Sequence, residues 1–345
     1  MLSQNKKIAF YAEASMGLTN AKMAEGIIRY GSNPAVAVVD STAAGKTLSD
    51  VCKIDSDVPI VSSIQEAIAL GAEVLVLGTA PSGGRFPKEW SNVVSLALSA
   101  GLSVVNGLHD RLNDIYGQNL RKDQWIWDVR TPVGGLPPIA NARAATLKNK
   151  RVLMVGTDMA IGKMTAGLEL YKTLKEHRIS VTFLATGQTG ITIMGAGIPL
   201  DAYKVDHASG AVEQLVMGAA KHDIVIIEGQ GSLLHPGSTA TLPLMRGSCP
   251  THMILCHRAG MEYVDTAPGA KVKIPPLRDV ISLNEMVASA NGALIKSKVV
   301  GISLNTRDLD QETALLEIKK IESELGLPVT DPVRFGAEAL VNALM

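Results

Sequence analysis

Between residues 151 and 174 the chain has little freedom in its local fold. Arg151-Val152-Leu153-Met154-Val155 is an apolar run of strand length, and Lys163 to Leu174 carries a helical pattern. Gly156-Thr157-Asp158-Met159-Ala160-Ile161-Gly162 joins the two. A glycine-bounded turn between a buried strand and a helix lets backbone N–H groups face inward around an anion. The helix start adds partial positive charge, and Lys163 adds a full one. The segment therefore reads as a phosphate-binding loop. Gly156, Thr157, Asp158, Ala160, Gly162, Lys163, Met164 and Thr165 are its expected cofactor-binding residues. The usual pattern places Ser or Thr directly after the lysine, with its hydroxyl on Mg²⁺. Here Met164 intervenes and the first hydroxyl is Thr165, so anion binding is kept while the usual magnesium ligand is displaced by one residue.

At 345 residues the chain is long enough for about two domains. With 46% hydrophobic and only 4% aromatic residues, its core must consist mainly of Ala, Val, Ile, Leu and Met, which suits buried parallel strands covered by helices. Before the phosphate-binding loop, strands are read at Ile8–Ala12, Ala35–Val39, Val74–Leu77 and Ser103–Asn106. They alternate with helices at Asn20–Tyr30, Ile64–Leu70 (opened by a Ser63/Glu66 capping pattern) and Glu89–Ala100. This predicts a Rossmann-like domain over 1–135. The turn after its first strand, Tyr11-Ala12-Glu13-Ala14-Ser15-Met16-Gly17, lacks a triple-glycine phosphate signature, so no dinucleotide is assigned there. Gly45-Lys46-Thr47 resembles the tail of a P-loop without the glycine-rich turn before it. Pro132, Gly134-Gly135 and Pro137-Pro138 mark Thr131 to Lys150 as a linker. A P-loop NTPase-like α/β domain with a mainly parallel sheet is then expected over 150–345. Its further strands are read at Val181–Ala185, Ile224–Ile227, Met253–Cys256 and Val299–Leu304, and its last helices at Gln311–Leu325 and Ala337–Met345.

Thirty-three basic and thirty-three acidic residues give zero formal charge, without a basic run for nucleic acid or a membrane surface. Three cysteines without metal-ligand spacing read as reduced, buried thiols. No signal peptide or bilayer-length apolar stretch is visible, so a cytoplasmic location, a small-molecule substrate and a homo-oligomeric state are expected, with no metal site.

The strand Ile224–Ile227 ends in Glu228-Gly229-Gln230-Gly231-Ser232, which places an acid at the carboxyl edge of the sheet, where ligands bind. Glu228 is the leading candidate for a general base, with His207 and His235 behind it, and the competing pulls of burial and Lys163 are expected to leave it ionised. Thr186-Gly187-Gln188-Thr189-Gly190 reads as another loop at the same edge. Gln188 and Gln230 join the expected cofactor contacts, and amides near Gly187–Gly190 or Gly229–Gly231 are candidate oxyanion donors. Arg85, Arg258 and Lys271 are candidates for a substrate carboxylate by charge alone.

Gly156-Thr157-Asp158 with Gly162-Lys163 resembles the P-loop of dethiobiotin synthetase. Gly156 to Thr165, Ala185-Thr186-Gly187-Gln188-Thr189-Gly190 and Glu228 to Ser232 together resemble, over essentially the whole chain, a bacterial and archaeal two-domain P-loop family first described as of unknown function. That family includes a D-glutamate N-acetyltransferase, so the resemblance implies acetyl-CoA as cofactor and an amino acid as acceptor. An ATP- and Mg²⁺-dependent ligase or kinase, and a nucleotide-binding protein without turnover, remain the alternatives.

Overall fold

The computed structural model describes residues 2–3, 5–266 and 269–345. The chain forms two compact units, Met1–Val133 with Gln188–Ala202, and Gly134–Gly187 with Tyr203–Met345.

The first unit is built on six strands, β1 (Ile8–Tyr11), β2 (Ala35–Val39), β3 (Ile60–Val61), β4 (Val74–Leu77), β5 (Ser103–Asn106) and β6 (Ile126–Asp128), in the order β3-β2-β1-β4-β5-β6. Every neighbouring pair is parallel, and this order is that of a doubly wound dinucleotide-binding sheet. β1 and β4 are buried and apolar on both faces, as in a parallel sheet covered by helices. The helices read at Asn20–Tyr30 and Glu89–Ala100 open with tighter turns, so their regular parts are Lys22–Tyr30 and Ser91–Ser99. The turn after β1 has a different use from phosphate binding. Asp40, buried at the end of β2, accepts from the amides of Ala14, Ser15 and Met16, each at 3.1 Å. Burial works to raise its pKa, but the Thr42 hydroxyl and these three amides outweigh that and hold it below the usual carboxylate range. Thr47, in the P-loop-like tripeptide, is the N-cap of a short helix, Leu48–Cys52, where it forms a reciprocal capping box with Asp50.

The second unit has strands β7 (Lys150–Gly156), β8 (Val181–Leu184), β9 (Ile224–Ile227), β10 (His252–Arg258), β11 (Lys298–Asn305) and β12 (Val329–Thr330), in the order β12-β11-β10-β7-β9-β8. All pairs are parallel. The P-loop strand β7 is therefore central, with β8 and β9 on one side and the later strands on the other.

From Gly134 onward, the segment read as a linker belongs to this unit. Fully buried Glu213, on the helix Val205–Gly218, accepts from the amide of Asn141 at 3.0 Å, from the amide of Arg143 at 2.8 Å and from Arg143 Nε at 2.7 Å. Gly210 on the same helix lies so close to the Pro138 carbonyl that a Cβ would overlap it. Arg151, fully buried, donates to the carbonyls of Leu147, Asn149, Ser248 and Cys249 at 2.9–3.1 Å. Proline and glycine here suppress regular structure, and the order comes from side chains elsewhere meeting the segment's backbone groups.

One further reading changes. Thr186–Gly190 is not all loop, because Gln188 opens the helix Gln188–Met194, where Thr192 Oγ1 donates to the Gln188 carbonyl. His207 stands on the helix Val205–Gly218. Among the described residues, no helix is long and apolar enough to cross a membrane.

Candidate active site

The loop after β7 is closed by hydrogen bonds to its own backbone. Gly162 adopts φ +112° as the N-cap of the helix Lys163–Glu176, and Ala160 adopts φ +55°. These left-handed residues turn the chain from the loop into the start of the helix. Lys163 is buried and its Nζ donates to the Asp158 carbonyl at 2.6 Å. Thr157 Oγ1 is hydrogen-bonded to His257 Nδ1 at 2.9 Å, and Asn305 Nδ2 donates to the Ile161 carbonyl at 3.0 Å. Burial lowers the His257 pKa to about 4, so this imidazole is a neutral brace for the loop. A nest of this kind, with a lysine at the start of a helix, fits a phosphate or pyrophosphate group.

Glu228 follows β9 directly and is buried. Its Oε2 accepts from the amides of Thr186 at 2.7 Å and Gly187 at 3.0 Å, while Thr186 Oγ1 donates to the Glu228 carbonyl at 2.9 Å. Gly229 lets this strand end approach the P-loop, since a Cβ there would overlap the Met154 carbonyl and press on Lys163 Cδ at 2.9 Å. Desolvation raises the Glu228 pKa to about 7, against the opposing pull of the two amides and the Lys163 charge. The expectation of a fully ionised carboxylate is thus corrected: burial outweighs the charge partner, and Glu228 is balanced between its two forms at neutral pH. The Gly187 amide, a candidate oxyanion donor, is committed to Glu228.

Of the other expected residues, Gln230 lays its side-chain amide across Gly187. His235 accepts from the Gly237 amide at Nδ1 (3.0 Å) and donates from Nε2 to the Asp265 carbonyl (3.0 Å), so both ring nitrogens are in use. Asp265 in turn donates its amide to Asp158 Oδ2 at 2.7 Å, which ties the loops after β7, β9 and β10 to one point. His207 Nδ1 donates to the Pro137 carbonyl at 2.6 Å, a brace for the ordered segment. Arg258 is bound through Nε and Nη2 to Asp308, and Lys271 is exposed. Thr165 and Met164 occupy the first turn of the helix after the loop, and both are half-buried. Gln188 packs its stem on Gly107 in the first unit, where Arg85 pairs with Asp110 at 2.7 Å. Asp265 and Asn305 were not anticipated. Asn305 carried a signal, a polar residue ending an apolar strand as Glu228 does, whereas Asp265 had none. Among the described residues no group of three His, Cys, Asp or Glu side chains is placed to hold a metal. Mg²⁺ held by one carboxylate and substrate phosphates needs no such group.

A central strand that runs into a glycine-bounded loop and a helix opening on lysine, with a buried carboxylate at the next strand end, defines a P-loop α/β protein. The chain belongs to the DUF1611 family. Its P-loop domain profile, described as a domain of unknown function, matches residues 138–341, and the corresponding Rossmann-like domain profile matches residues 41–132. A D-glutamate N-acetyltransferase of Tritonibacter scottomollicae is 36% identical over 329 residues, covering 94% of this chain and 94% of the relative. Another of that name, from a Pseudoalteromonas species, is 36% identical over 286 residues, covering 82% of this chain and 84% of the relative. The crystal structure of a DUF1611 family protein from Anabaena variabilis ATCC 29413 is similar with a TM-score of 0.95 and 47% identity, covering 99% of both chains.

Proposed function

We propose that this chain is an N-acetyltransferase that moves the acetyl group of acetyl-CoA to the amino group of D-glutamate or a closely similar amino acid. The observation that carries the reading is Glu228, a buried carboxylate with a pKa of about 7 beside the P-loop lysine, in a chain whose relatives bear that name. An ammonium must lose a proton before its nitrogen can attack, and a base poised near the working pH is best suited to accept it. Glu228 takes that proton, directly or through one water. The N–C bond then forms as the C–S bond of the thioester breaks, and the thiolate leaves and is protonated. Gly229–Gly231 remain the stretch from which amide donors to the developing oxyanion are drawn. The P-loop and Lys163 hold the phosphates of the donor, a task that requires no hydrolysis and agrees with Met164 standing where a magnesium-binding hydroxyl is usual.

Lys163→Ala should weaken CoA binding by about 1.5–3 kcal/mol, the worth of a charge-assisted hydrogen bond, or roughly ten- to hundredfold. Calorimetric titration with CoA checks this, alongside a melting curve because Lys163 also holds the Asp158 carbonyl. Wild-type affinity in the variant would reduce the motif to a structural turn.

A further inference from the structure

We propose that Gly107 and Arg130 are positioning residues for Glu228: they pin the two ends of the segment Gln188–Ala202, and the backbone entering that segment, Thr186–Gly187, presents the amides that hold the Glu228 carboxylate. The proposal rests on the reading above for what Glu228 does, and on the geometry below for how it is held.

The route of the chain makes this segment a strap. It runs in the second unit up to Gly187, belongs to the first unit from Gln188 to Ala202, and returns to the second at Tyr203. Within the first unit the helix Gln188–Met194 packs against the helix Lys22–Tyr30 and buries Gly190, Ile191 and Thr192. A tight turn at Leu200–Ala202 closes the strap, with Leu200 buried and the Ala202 amide donating to the Pro199 carbonyl at 2.9 Å.

Both ends of the strap are held at one place in the first unit. Gly107, just after β5, lies so close to Gln188 that an added Cβ would stand 3.3 Å from Gln188 Cγ and 2.5 Å from Met23 Sδ. The Gly107 carbonyl accepts from Arg130 Nε at 2.7 Å, and Arg130 Nη1 pairs with Asp201 Oδ2 at the far end. The Arg130 side chain is only 15% exposed, and burial lowers its pKa, so its charge depends on these two partners rather than on water. At the near end a single peptide bond, Gly187–Gln188, separates the clamp from Glu228. The Gly187 amide donates to Glu228 Oε2 at 3.0 Å, and the Thr186 amide at 2.7 Å. These two amides favour the ionised carboxylate. Lys163 is the charged group, among the described residues, that does the same, while burial opposes all three. A loosened strap weakens the amide contacts and leaves burial less opposed, which drives the Glu228 pKa further up.

The test compares wild type with Asp201→Asn, Asp201→Glu and Gly107→Ala. Asp201→Asn removes the charge at the far end, and Asp201 is half-exposed, so the variant is expected to fold. Gly107→Ala presses a methyl group on Gln188 at the near end. Two midpoints are read in each protein: that of kcat/KM against pH, and that of the Glu228 carboxyl ¹³C resonance, assigned by its loss in Glu228→Gln. Asp201→Asn and Gly107→Ala should both titrate about half a pH unit or more above wild type, so that kcat/KM falls about threefold on the acid side and recovers at alkaline pH. Asp201→Glu keeps the carboxylate and should match wild type. A wild-type carboxyl midpoint in both Asp201→Asn and Gly107→Ala overturns the proposal, as does activity lowered equally at every pH with that midpoint unmoved. A carboxyl midpoint that moves while the kcat/KM limb stays in place upholds the clamp and removes Glu228 from the role of base.

Discussion

Glu228→Gln is expected to cut acetyl transfer to D-glutamate by roughly 10²–10⁴-fold, the usual worth of general base catalysis, with CoA affinity close to wild type. The amide keeps the shape of the carboxylate and an oxygen for the Thr186 and Gly187 amides, but has no basicity. The wild-type pH profile should show kcat/KM rising through about pH 7 as Glu228 ionises, and the variant's residual activity should lack that limb. The same substitution acts on stability in the opposite direction. The folded-state pKa of about 7 lies above the ordinary 4.5. Between those values the native state retains a proton that the unfolded chain has released, so wild-type stability falls as pH rises through the window. The loss approaches about 3 kcal/mol at about 1.4 kcal/mol per unit. Glu228→Gln should therefore melt higher than wild type at pH 8 and lose that advantage at pH 5. Near-wild-type turnover would remove Glu228 from the chemistry.

Glu213→Ala should destabilise the second unit by about 3 kcal/mol, the scale for removing one partner of a buried charged pair. It leaves the amides of Asn141 and Arg143 without their acceptor and detaches the segment that precedes β7. Burial works to raise the Glu213 pKa, but the hydrogen bonds from Arg143 and Asn141 prevail and lower it. The sign follows: this contribution is present above the unfolded glutamate pKa and is lost as pH falls through the lower folded value. Denaturant melts at pH 7 and in the acid range measure both effects. An unchanged midpoint at pH 7 would show that the segment is held by other contacts, such as those of Arg151.

Long buried strands were legible because a parallel sheet covered on both faces demands continuous apolar runs. β2, β4, β5 and β9 therefore begin and end where their composition changes. β3 and β12 have two residues each, too few to show a period, and exist because β2 and β11 offer them a free edge. Thr131 to Lys150 read as a linker because its prolines and glycines exclude helix, yet composition says nothing of Glu213, some seventy residues later, which accepts from the amides of Asn141 and Arg143 within it. At the site, the P-loop and Glu228 announce themselves by strand-end position. The protonation of Glu228 did not, because the balance between burial and Lys163 depends on how completely water is excluded. Histidines were ambiguous for a similar reason: His207 and His235 differ from a free base only in the carbonyls and amides they meet.

The most direct measurement is the reaction itself. Purified protein is incubated with acetyl-CoA and D-glutamate in EDTA, free thiol is followed continuously, and the acceptor is weighed by mass spectrometry. Thiol release matched one for one by N-acetyl-D-glutamate, undiminished by the chelator, is the predicted result. No thiol release above background with D-glutamate or any other D- or L-amino acid, or product formed only when ATP and Mg²⁺ are supplied, would contradict the account.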